Sequence, residues 1–260
     1  MIEKNLPFDT PRATRLSEAR ASFLGHLITK CRSYFPISTA LDAGTGIGYF
    51  AGYLSRNHNL QVVAFDARPS NIEEAKRRYP EVTFVVGNAE SDEIVSLGKF
   101  DVVTAFGLFY HLENPFLGAR NLAQMTKYLL VIESMIAPGR LPQALLLDEY
   151  LGDDQSIRYV AFHLTASGLV KLLYKAGMTY VYLPRSKVNH EEFRGGLFRR
   201  QVRTIFVASR TPLDDPLFKL IPEPYHMLDR PYYFRAFPRK LLEFALAKGR
   251  AIKSAIRRKA

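Results

Sequence analysis

The sequence predicts an α/β protein in which a mostly parallel β-sheet is covered by helices on both faces. From residue 38 onward, short apolar runs rich in Val, Phe and Leu alternate with helical patterns, as in consecutive βαβ units. A glycine-rich turn follows the first apolar run, and an acidic side chain follows the second. Ligands of open α/β sheets bind at the carboxyl ends of the strands, so these turns also predict where a functional site lies.

The predicted elements begin with a helix ahead of the sheet. Apolar residues recur at three- and four-residue intervals over 12–34, which predicts an amphipathic helix. Five strands are predicted after it, at 38–43, 60–66, 82–86, 100–106 and 127–133. Helices are predicted near 47–57, 70–79 and 114–126.

The alternation is interrupted after the fifth strand. Residues 138–165 contain Pro, Gly and paired acids, and we interpret them as an inserted loop or short helices. A helix at 166–177 and strands at 178–183 and 203–209 then restore the pattern. The predicted division is an N-terminal helical cap at 1–37, a main domain at 38–210 that includes the insertion, and a C-terminal region at 211–260.

The C-terminal region combines a Pro- and aromatic-rich segment with a basic amphipathic helix, which is predicted at 240–259. The chain has a net charge of +11, of which residues 231–260 carry +8. A basic groove along the whole chain is therefore not indicated. Three uses of the helix remain open: peripheral contact with an anionic membrane through 239–259, nucleic-acid binding as a less favoured use, and docking on its own domain.

Composition narrows the class of protein further. About half of the residues are apolar, as in a globular protein, and no run of about 18 apolar residues predicts a transmembrane helix. The first residues, 1–10, lack the layout of a signal peptide, so we expect a cytoplasmic location, with the inner membrane surface as a place of peripheral contact. Cys31 is the only cysteine and falls on an apolar helix side, which favours a buried thiol.

The turn after the first strand reads Gly44-Thr45-Gly46-Ile47-Gly48 and begins two residues after Asp42. Its G-x-G-x-G spacing differs from the G-x-G-x-x-G turn that binds the pyrophosphate of dinucleotides. An acid two residues before the first glycine would repel a phosphate group. The same acid suits a cationic ligand, such as the sulfonium of S-adenosylmethionine.

Three further strand ends contribute to the same edge. Asp66 ends the second strand, where an acid accepts hydrogen bonds from ribose hydroxyls; a turn or helix-capping acid is the alternative interpretation. Asn88 and Ala89 follow the third strand, and Phe106 ends the fourth. Arg68 would suit a 2′-phosphate of NADP, but the spacing of the glycine turn disfavours that cofactor.

These four elements resemble the Rossmann-like (class I) S-adenosylmethionine-dependent methyltransferase superfamily, over about residues 38–210. The resemblance implies a seven-stranded sheet whose last strand, at 203–209, is antiparallel. It implies S-adenosyl-L-methionine as the cofactor, with its methionine part at the glycine turn, its ribose at Asp66 and its adenine near Asn88. The implied cofactor-binding residues are Asp42, Gly44, Thr45, Gly46, Gly48, Asp66, Ala67, Asn88, Ala89 and Phe106.

The segment Gly107-Leu108-Phe109-Tyr110-His111-Leu112 follows the fourth strand and, with Pro115, has a G-L-x-Y-H-L-x-x-P pattern. This pattern is similar to that of bacterial small-molecule and glycan-pathway methyltransferases. A neutral histidine is the usual base for an alcohol or phenol acceptor, so His111 and Tyr110 are the candidate catalytic residues. The alternative is that His111 caps the next helix.

For the remaining polar groups, we favour solvation over a role in the site. Acids and His163 in the insertion are expected to be mostly solvated, and no metal site is predicted. Four arginines before the last strand are also expected to be solvated, with binding of an anionic acceptor as the alternative; they are Arg194, Arg199, Arg200 and Arg203.

The sequence therefore predicts a methyltransferase that acts on a small-molecule or glycan/lipid-linked acceptor, at oxygen. An enzyme that carboxymethylates or methylates tRNA, and a catalytically inactive S-adenosylmethionine-binding partner protein, are the alternatives. The segment also looks like its counterpart in the enzyme that carboxymethylates tRNA.

Overall fold

The computed structural model describes residues 7–149, 160–194 and 202–224. Five α-helices lie in these described ranges: α1 (Pro11–Cys31), α2 (Tyr49–His58), α3 (Pro69–Arg78), α4 (Pro115–Met125) and α5 (Ala166–Lys175). The same ranges contain ten strands: β1 (Thr39–Ala43), β2 (Gln61–Asp66), β3 (Thr83–Val86), β4 (Phe100–Phe106), β5 (Thr126–Met135), β6 (Ala144–Asp148), β7 (Val160–Leu164), β8 (Tyr180–Pro184), β9 (Arg203–Ser209) and β10 (Phe218–Leu220).

The main sheet has the strand order β10-β8-β9-β5-β4-β1-β2-β3. Strands β3, β2, β1, β4 and β5 are parallel to one another, and β9 is antiparallel to both β5 and β8. The chain moves outward from β1 to β3 and then returns past β1 to form β4. The carboxyl ends of β1 and β4 therefore flank the point at which the direction of winding reverses, where α/β sheets bind ligands.

Helices cover both faces of the sheet, as predicted. One core packs α1, α2 and α3 against the sheet, and the other packs α4 and α5 against the opposite face. Val102 and Val103 are neighbours on β4 and are fully buried, one in each core. Because successive side chains of a strand point to opposite faces, a central strand covered on both sides has a continuous apolar run rather than an alternating one.

The helices begin where the sequence supplies capping side chains. Thr10 precedes α1, and its hydroxyl oxygen accepts a hydrogen bond from the Ala13 N–H at 3.2 Å. Asn114 caps α4 in the same way, and Thr165 caps α5. Proline stands in the first turn of both α1 and α4, where its fixed φ suits the helix and its missing N–H leaves no donor unpaired.

Two features of the sheet differ from the sequence prediction. The main sheet has eight strands instead of seven, because the short β10 pairs antiparallel with β8 at one edge. The insertion 138–165 was predicted as a loop or short helices, and this was wrong. Its described residues contain an antiparallel pair, β6 and β7, since the Leu-rich run at 145–147 and the run at 160–164 pair with each other.

The described residues all belong to one compact unit, Met1–Pro224. The second unit, Tyr225–Ala260, and the helix predicted at 240–259 lie outside the described residues. The predicted domain bounds 1–37, 38–210 and 211–260 stay a prediction. None of the described helices has the length and apolar character needed to cross a membrane.

A buried carboxylate joins the amino ends of three parallel strands. Asp101 Oδ2 accepts hydrogen bonds from the backbone N–H groups of Ser38 and Thr39 at 2.9 and 3.0 Å, and Lys127 Nζ donates to Oδ1 at 3.0 Å. Burial alone would raise the pKa of Asp101, but these donors outweigh it and lower the pKa to about 2. Asp101 therefore stabilises the fold as an ion.

We expect Asp101→Asn to lower the free energy of unfolding at neutral pH by about 2–4 kcal/mol, because the amide leaves buried donors poorly paired. The stabilisation by the carboxylate is present above its unfolded pKa near 3.8 and is lost as the pH falls through about 2. The difference between the two proteins should therefore shrink in acid. Urea denaturation over this pH range measures it, with the exposed Asp92→Asn as control.

Candidate active site

The carboxyl ends of the central strands open into a cavity of about 440 Å³. Its wall comes from the turns after β1, β2, β3 and β4, from α1, and from the start of β9. Ten residues predicted for the site line it: Gly44, Thr45, Gly46, Asp66, Ala67, Asn88, Ala89, Phe106, Tyr110 and His111. The cavity has the size of an ordinary small-molecule or cofactor site.

The turn after β1 requires glycine, because its backbone conformation is left-handed and other side chains lie close to it. Gly44 has φ +67°, and a Cβ there would lie 2.8 Å from the Leu108 side chain across the turn. Gly48 has φ +87° and directly precedes α2. A Cβ on Gly48 would lie 2.9 Å from the Phe84 ring and 3.0 Å from the Tyr79 ring, and Gly48 itself does not line the cavity. Gly48 therefore shapes the turn through packing.

Asp42 lies beneath the turn instead of on the cavity wall. Its side chain is buried, and its two carboxylate oxygens accept hydrogen bonds from the hydroxyls of Thr45 at 2.6 Å and Thr104 at 2.8 Å. Burial raises the pKa of Asp42 to about 6, against the lowering effect of the two hydroxyls, and the nearby Asp66 raises it further. Asp42 thus ties β1, the turn and β4 together.

Asp66 reaches across from β2 to the glycine turn. Its Oδ2 accepts from the Gly46 N–H at 2.9 Å, while Oδ1 accepts from the Arg68 N–H at 2.9 Å and from Asn71 Nδ2 at 3.0 Å. The bonds to Arg68 and Asn71 are those of a turn acid, which was the alternative interpretation. The bond to Gly46 additionally holds the carboxylate at the cavity wall.

Asn88 and Ala89 form the wall after β3. The side-chain oxygen of Asn88 accepts a hydrogen bond from the Glu90 N–H at 2.9 Å, which folds the turn. The carbonyl oxygen of Ala89 accepts one from Asn121 Nδ2 of α4, also at 2.9 Å. An amide oxygen has a second lone pair, so the turn leaves Asn88 one acceptor position.

His111 lies in a short 3₁₀ turn, Phe109–His111, after β4. It does not cap α4, because Asn114 supplies that hydrogen bond to the Leu117 N–H at 3.0 Å. His111 Nδ1 lies 2.7 Å from Glu149 Oε1, and each of the two side chains is 10% exposed. Both ring nitrogens are buried, and neither makes a hydrogen bond of good geometry with a described residue, so the contact with Glu149 is one of ion-pair distance.

The insertion therefore supplies part of this site. Glu149 directly follows β6, and the ring of His163 on β7 lies 5.8 Å from that of Tyr110. Burial lowers the pKa of His163, and the nearby His111 and Arg203 lower it further. Asp148 is exposed, as expected for an acid of the insertion, but the expectation that its acids are solvated was wrong for Glu149.

An ion cluster forms the other side of the cavity. Glu133, at the end of β5, is fully buried and pairs with Arg20 of α1 at 2.9 Å and with Arg203 of β9 at 3.0 Å. Arg203 also donates to the Tyr110 hydroxyl at 3.3 Å and to Glu192 at 2.5 Å. Burial acts to lower the pKa of Arg203, but these neighbours outweigh it and hold the pKa well above its ordinary value.

The four arginines before the last strand thus have different environments. Arg203 is only 11% exposed, so its predicted solvation was wrong. Arg194 is exposed and donates a hydrogen bond to Asn189. Arg199 and Arg200 lie outside the described residues. Within the described ranges, no three His, Cys, Asp or Glu side chains are grouped as metal ligands would be.

Residues 40–129 match a protein-family model described as a methyltransferase domain. The matched stretch is about a third of the chain, and in this stretch the protein is similar to a methyltransferase domain. The match begins in β1 and ends in β5, so it contains the glycine turn, Asp66, Asn88 and His111. The mostly parallel sheet with helices on both faces is Rossmann-like.

Solved structures with a similar fold include methyltransferases. The N-terminal domain of EvdMO1, solved with SAH bound, is 16% identical over 74% of this chain and 79% of that chain, with a TM-score of 0.56. Magnesium protoporphyrin IX methyltransferase from Synechocystis PCC 6803, solved with SAM, is 16% identical over 80% and 89%, with a TM-score of 0.55.

The glycopeptide N-methyltransferase MtfA, complexed with SAM, is 14% identical over 75% of this chain and 93% of that chain, with a TM-score of 0.52. At these identities the similarity concerns the fold. No curated protein matches the sequence.

Several residues of the cavity were not predicted. Phe8 and Arg20 line it from the N-terminal side, and Glu133 of β5 lies behind the wall, where it pairs with Arg20 and Arg203. Arg20 lies four residues after Leu16 and three before Phe23, so it falls on the apolar side of α1. Glu133 interrupts the apolar run of β5. For both residues, a charged side chain within an apolar pattern could have indicated the position from the sequence. No such signal marks Phe8.

We expect Asp42→Asn to change how stability depends on pH. The folded protein keeps the Asp42 proton up to about pH 6, whereas the unfolded chain loses it near 3.8, so wild-type stability should fall as the pH rises between these values. The variant lacks this loss and should gain on the order of 3 kcal/mol relative to wild type between pH 4 and pH 7. Urea denaturation at a series of pH values measures it, and equal slopes in both proteins would contradict the assignment.

Proposed function

We propose that the chain binds S-adenosyl-L-methionine in this cavity and transfers the methyl group to an oxygen of a small-molecule or glycan/lipid-linked acceptor. One observation carries the proposal. A single cavity holds both the turns expected around a nucleoside, at Gly46 and Asp66, and the side chain of His111, whose Nδ1 lies 2.7 Å from Glu149 behind it. A cofactor and an acceptor bound there would share one cavity.

The residues present fit the cofactor. The Asp66 carboxylate has about four acceptor positions, and donors from the protein occupy three of them. One ribose hydroxyl can bind the remaining position, and a second must displace the Asn71 amide, the one side-chain donor of the three. Near the glycine turn, the buried Arg20 Nε has no partner among the described residues, so it can serve the carboxylate of the methionine part.

The cofactor supplies the electrophilic methyl group on a positively charged sulfur. Asp42 lies under the turn and can favour that charge, although it does not touch the cavity. Asn88 keeps one acceptor position for the adenine amino group, and Ala89 and Phe106 add apolar wall beside it. Methyl transfer then depends mainly on alignment in a site without water.

We expect Asp66→Ala to weaken binding of both S-adenosylmethionine and S-adenosylhomocysteine at least tenfold, or about 1.4 kcal/mol. The physical reason is the loss of the acceptor for the ribose hydroxyls. Isothermal titration calorimetry measures the change, with NADH as a ligand control and the exposed Glu93→Ala as a matched acid-to-alanine control. Well-folded wild-type protein that binds neither sulfur ligand would refute the proposed cofactor site.

The pairing of His111 supports transfer to oxygen. A hydroxyl acceptor must lose its proton, which needs a base within hydrogen-bond reach. Glu149 Oε1 lies 2.7 Å from Nδ1 and is the group that an Nδ1–H would face, which would leave the lone pair on Nε2 for the acceptor. Glu149 is the positioning residue in this arrangement, and His111 is the base.

We expect Glu149→Gln to lower kcat by about 10- to 100-fold and to leave the cofactor affinity unchanged. Loss of the carboxylate frees the imidazole to change tautomer and orientation, which should cost part of the roughly 10²–10⁴-fold that a general base contributes. His111→Ala should cost more, and Glu149→Asp should recover part of the loss. The matched control is the neighbouring exposed acid, Asp148→Asn.

Formation of S-adenosylhomocysteine gives the readout, with panels of hydroxylated small molecules and sugars as acceptors. If Glu149→Gln raises KM for the acceptor and leaves kcat unchanged, Glu149 only shapes the wall. Turnover with tRNA but with none of the small acceptors would instead support an RNA-modifying enzyme. Cofactor binding without turnover of any acceptor would support an inactive partner protein.

A further inference from the structure

The residues just before α1 form part of the cavity wall. Pro7–Asp9 make a short 3₁₀ turn, and Phe8 and Asp9 both line the cavity. A Cβ on Gly46 would lie 3.1 Å from the Phe8 ring, so this ring lies directly against the glycine turn. Phe8 is half-buried and Asp9 is exposed, although both line the cavity, so the wall is one segment thick here. We call Pro7–Asp9 the strap.

Asp9 joins the strap to a different part of the cavity wall. Its two carboxylate oxygens accept hydrogen bonds from Arg78 Nη1 at 2.9 Å and from Nη2 at 2.7 Å. Arg78 is the last residue of α3 and lines the cavity too. The hydrogen bonds from Arg78 hold the pKa of Asp9 below its ordinary value, against the raising effect of burial. We call this pair of ionised side chains the latch.

The helix that follows the strap is held more firmly than the strap itself. In α1, Arg20 is 11% exposed and pairs with the fully buried Glu133. In the latch, the side chains of Arg78 and Asp9 are 27% and 39% exposed. Separation of an exposed pair costs little because water solvates both groups, whereas separation of a buried pair leaves charges without partners. This wall of the cavity therefore opens most easily at the latch.

The boundary between the strap and α1 lies at Thr10. Its backbone is extended, with ψ 147°, and its hydroxyl oxygen accepts a hydrogen bond from the Ala13 N–H. The helix therefore keeps its cap when residues 7–9 move. Hinges are commonly residues at the end of an element that absorb a change in φ and ψ, and Thr10 has this position.

We propose that the strap is a gate, which closes the glycine-turn end of the cavity while the latch is formed and must open for the cofactor to exchange. That the exchanging ligand is S-adenosylmethionine rests on the proposed function, whereas closure of the cavity by the strap does not. The latch joins two groups of the protein, so it holds the strap in the empty and the loaded protein alike. A weaker latch should therefore raise the association and the dissociation rate constants together.

A first measurement follows the strap without any ligand. The chain contains no tryptophan, so Phe8→Trp introduces a single fluorescent reporter. We expect Asp9→Asn, added to Phe8→Trp, to shift the emission to longer wavelength and to increase quenching by acrylamide, because the unlatched strap moves into water. The matched control is Arg77→Gln in the same protein, since Arg77 precedes Arg78 and pairs with Glu74. Unchanged emission and quenching in the Asp9→Asn protein would overturn the proposal.

A second measurement follows exchange in the full-length protein with its native Phe8. Rapid filtration gives the rate constants for binding of radiolabelled S-adenosylmethionine and for its chase by unlabelled S-adenosylhomocysteine. We expect Asp9→Asn to raise both rate constants about three- to fivefold, as an exposed ion pair allows, and to change Kd less than about twofold. Arg77→Gln should exchange like wild type. Salt should accelerate exchange more in wild type than in Asp9→Asn, because it screens the latch.

A cross-link should have the opposite effect. Asp9→Cys/Arg78→Cys joined by a bismaleimide should exchange more slowly than wild type, and the same protein before cross-linking should exchange like Asp9→Asn. Cys31 is buried and does not compete for the reagent. This pair of results would not arise if the latch only stabilised the fold.

Three outcomes separate the strap from the cofactor assignment. Exchange rates of Asp9→Asn equal to those of wild type would overturn the gate. A rise in the dissociation rate constant alone, with an equal rise in Kd, would overturn it too and make Asp9 a ligand contact. Wild-type protein that binds neither sulfur ligand would refute the proposed function alone, and the fluorescence of the Phe8→Trp proteins then decides whether the latch holds the strap.

Discussion

The site depends on one buried carboxylate. Asp42 joins the end of β1 to the glycine turn through Thr45 and to β4 through Thr104, so a single acid fixes two of the strand ends that surround the cavity. Isolated burial of an acid is unfavourable, and the raised pKa of Asp42 expresses that cost. The two hydroxyls offset it in part. A positive charge near Asp42 would favour its ionised form and offset the remaining cost, so the arrangement suits a cationic ligand.

The part of the cavity wall formed by Arg20, Tyr110 and Arg203 is organised around a second buried acid. Glu133 is compensated by two guanidinium groups, from Arg20 on α1 and Arg203 on β9, and Arg203 in turn holds the Tyr110 hydroxyl. Loss of either arginine would leave an underpaired charge in the protein interior, which is strongly destabilising. The cluster therefore makes the N-terminal helix and the last long strand a structural part of the site, although neither carries a recognisable motif.

The sequence was sufficient to predict the bounds of the elements with strong periodicity. Strands β1 to β5 and the helices between them lie within one or two residues of their predicted bounds, because apolar runs, glycines and capping residues all indicate the same boundaries. The β6–β7 pair was missed because β6 is exposed along its whole length, and an exposed apolar run such as 145–147 contradicts the burial that strand patterns assume. Contacts between distant segments, such as that of His111 with Glu149, leave no trace in local spacing.

The two halves of the cavity are built in different ways, and this difference bears on specificity. The half of the cavity around the glycine turn is made by backbone groups and strand ends, and these are set by the parallel sheet itself. The other half includes side chains from the preceding helix and the returning strand, Arg20 and Arg203, which are joined through their ion pairs with Glu133. The insertion lies behind this half, where Glu149 faces His111. One fold supports many reactions because side chains of this kind can change while the sheet is kept.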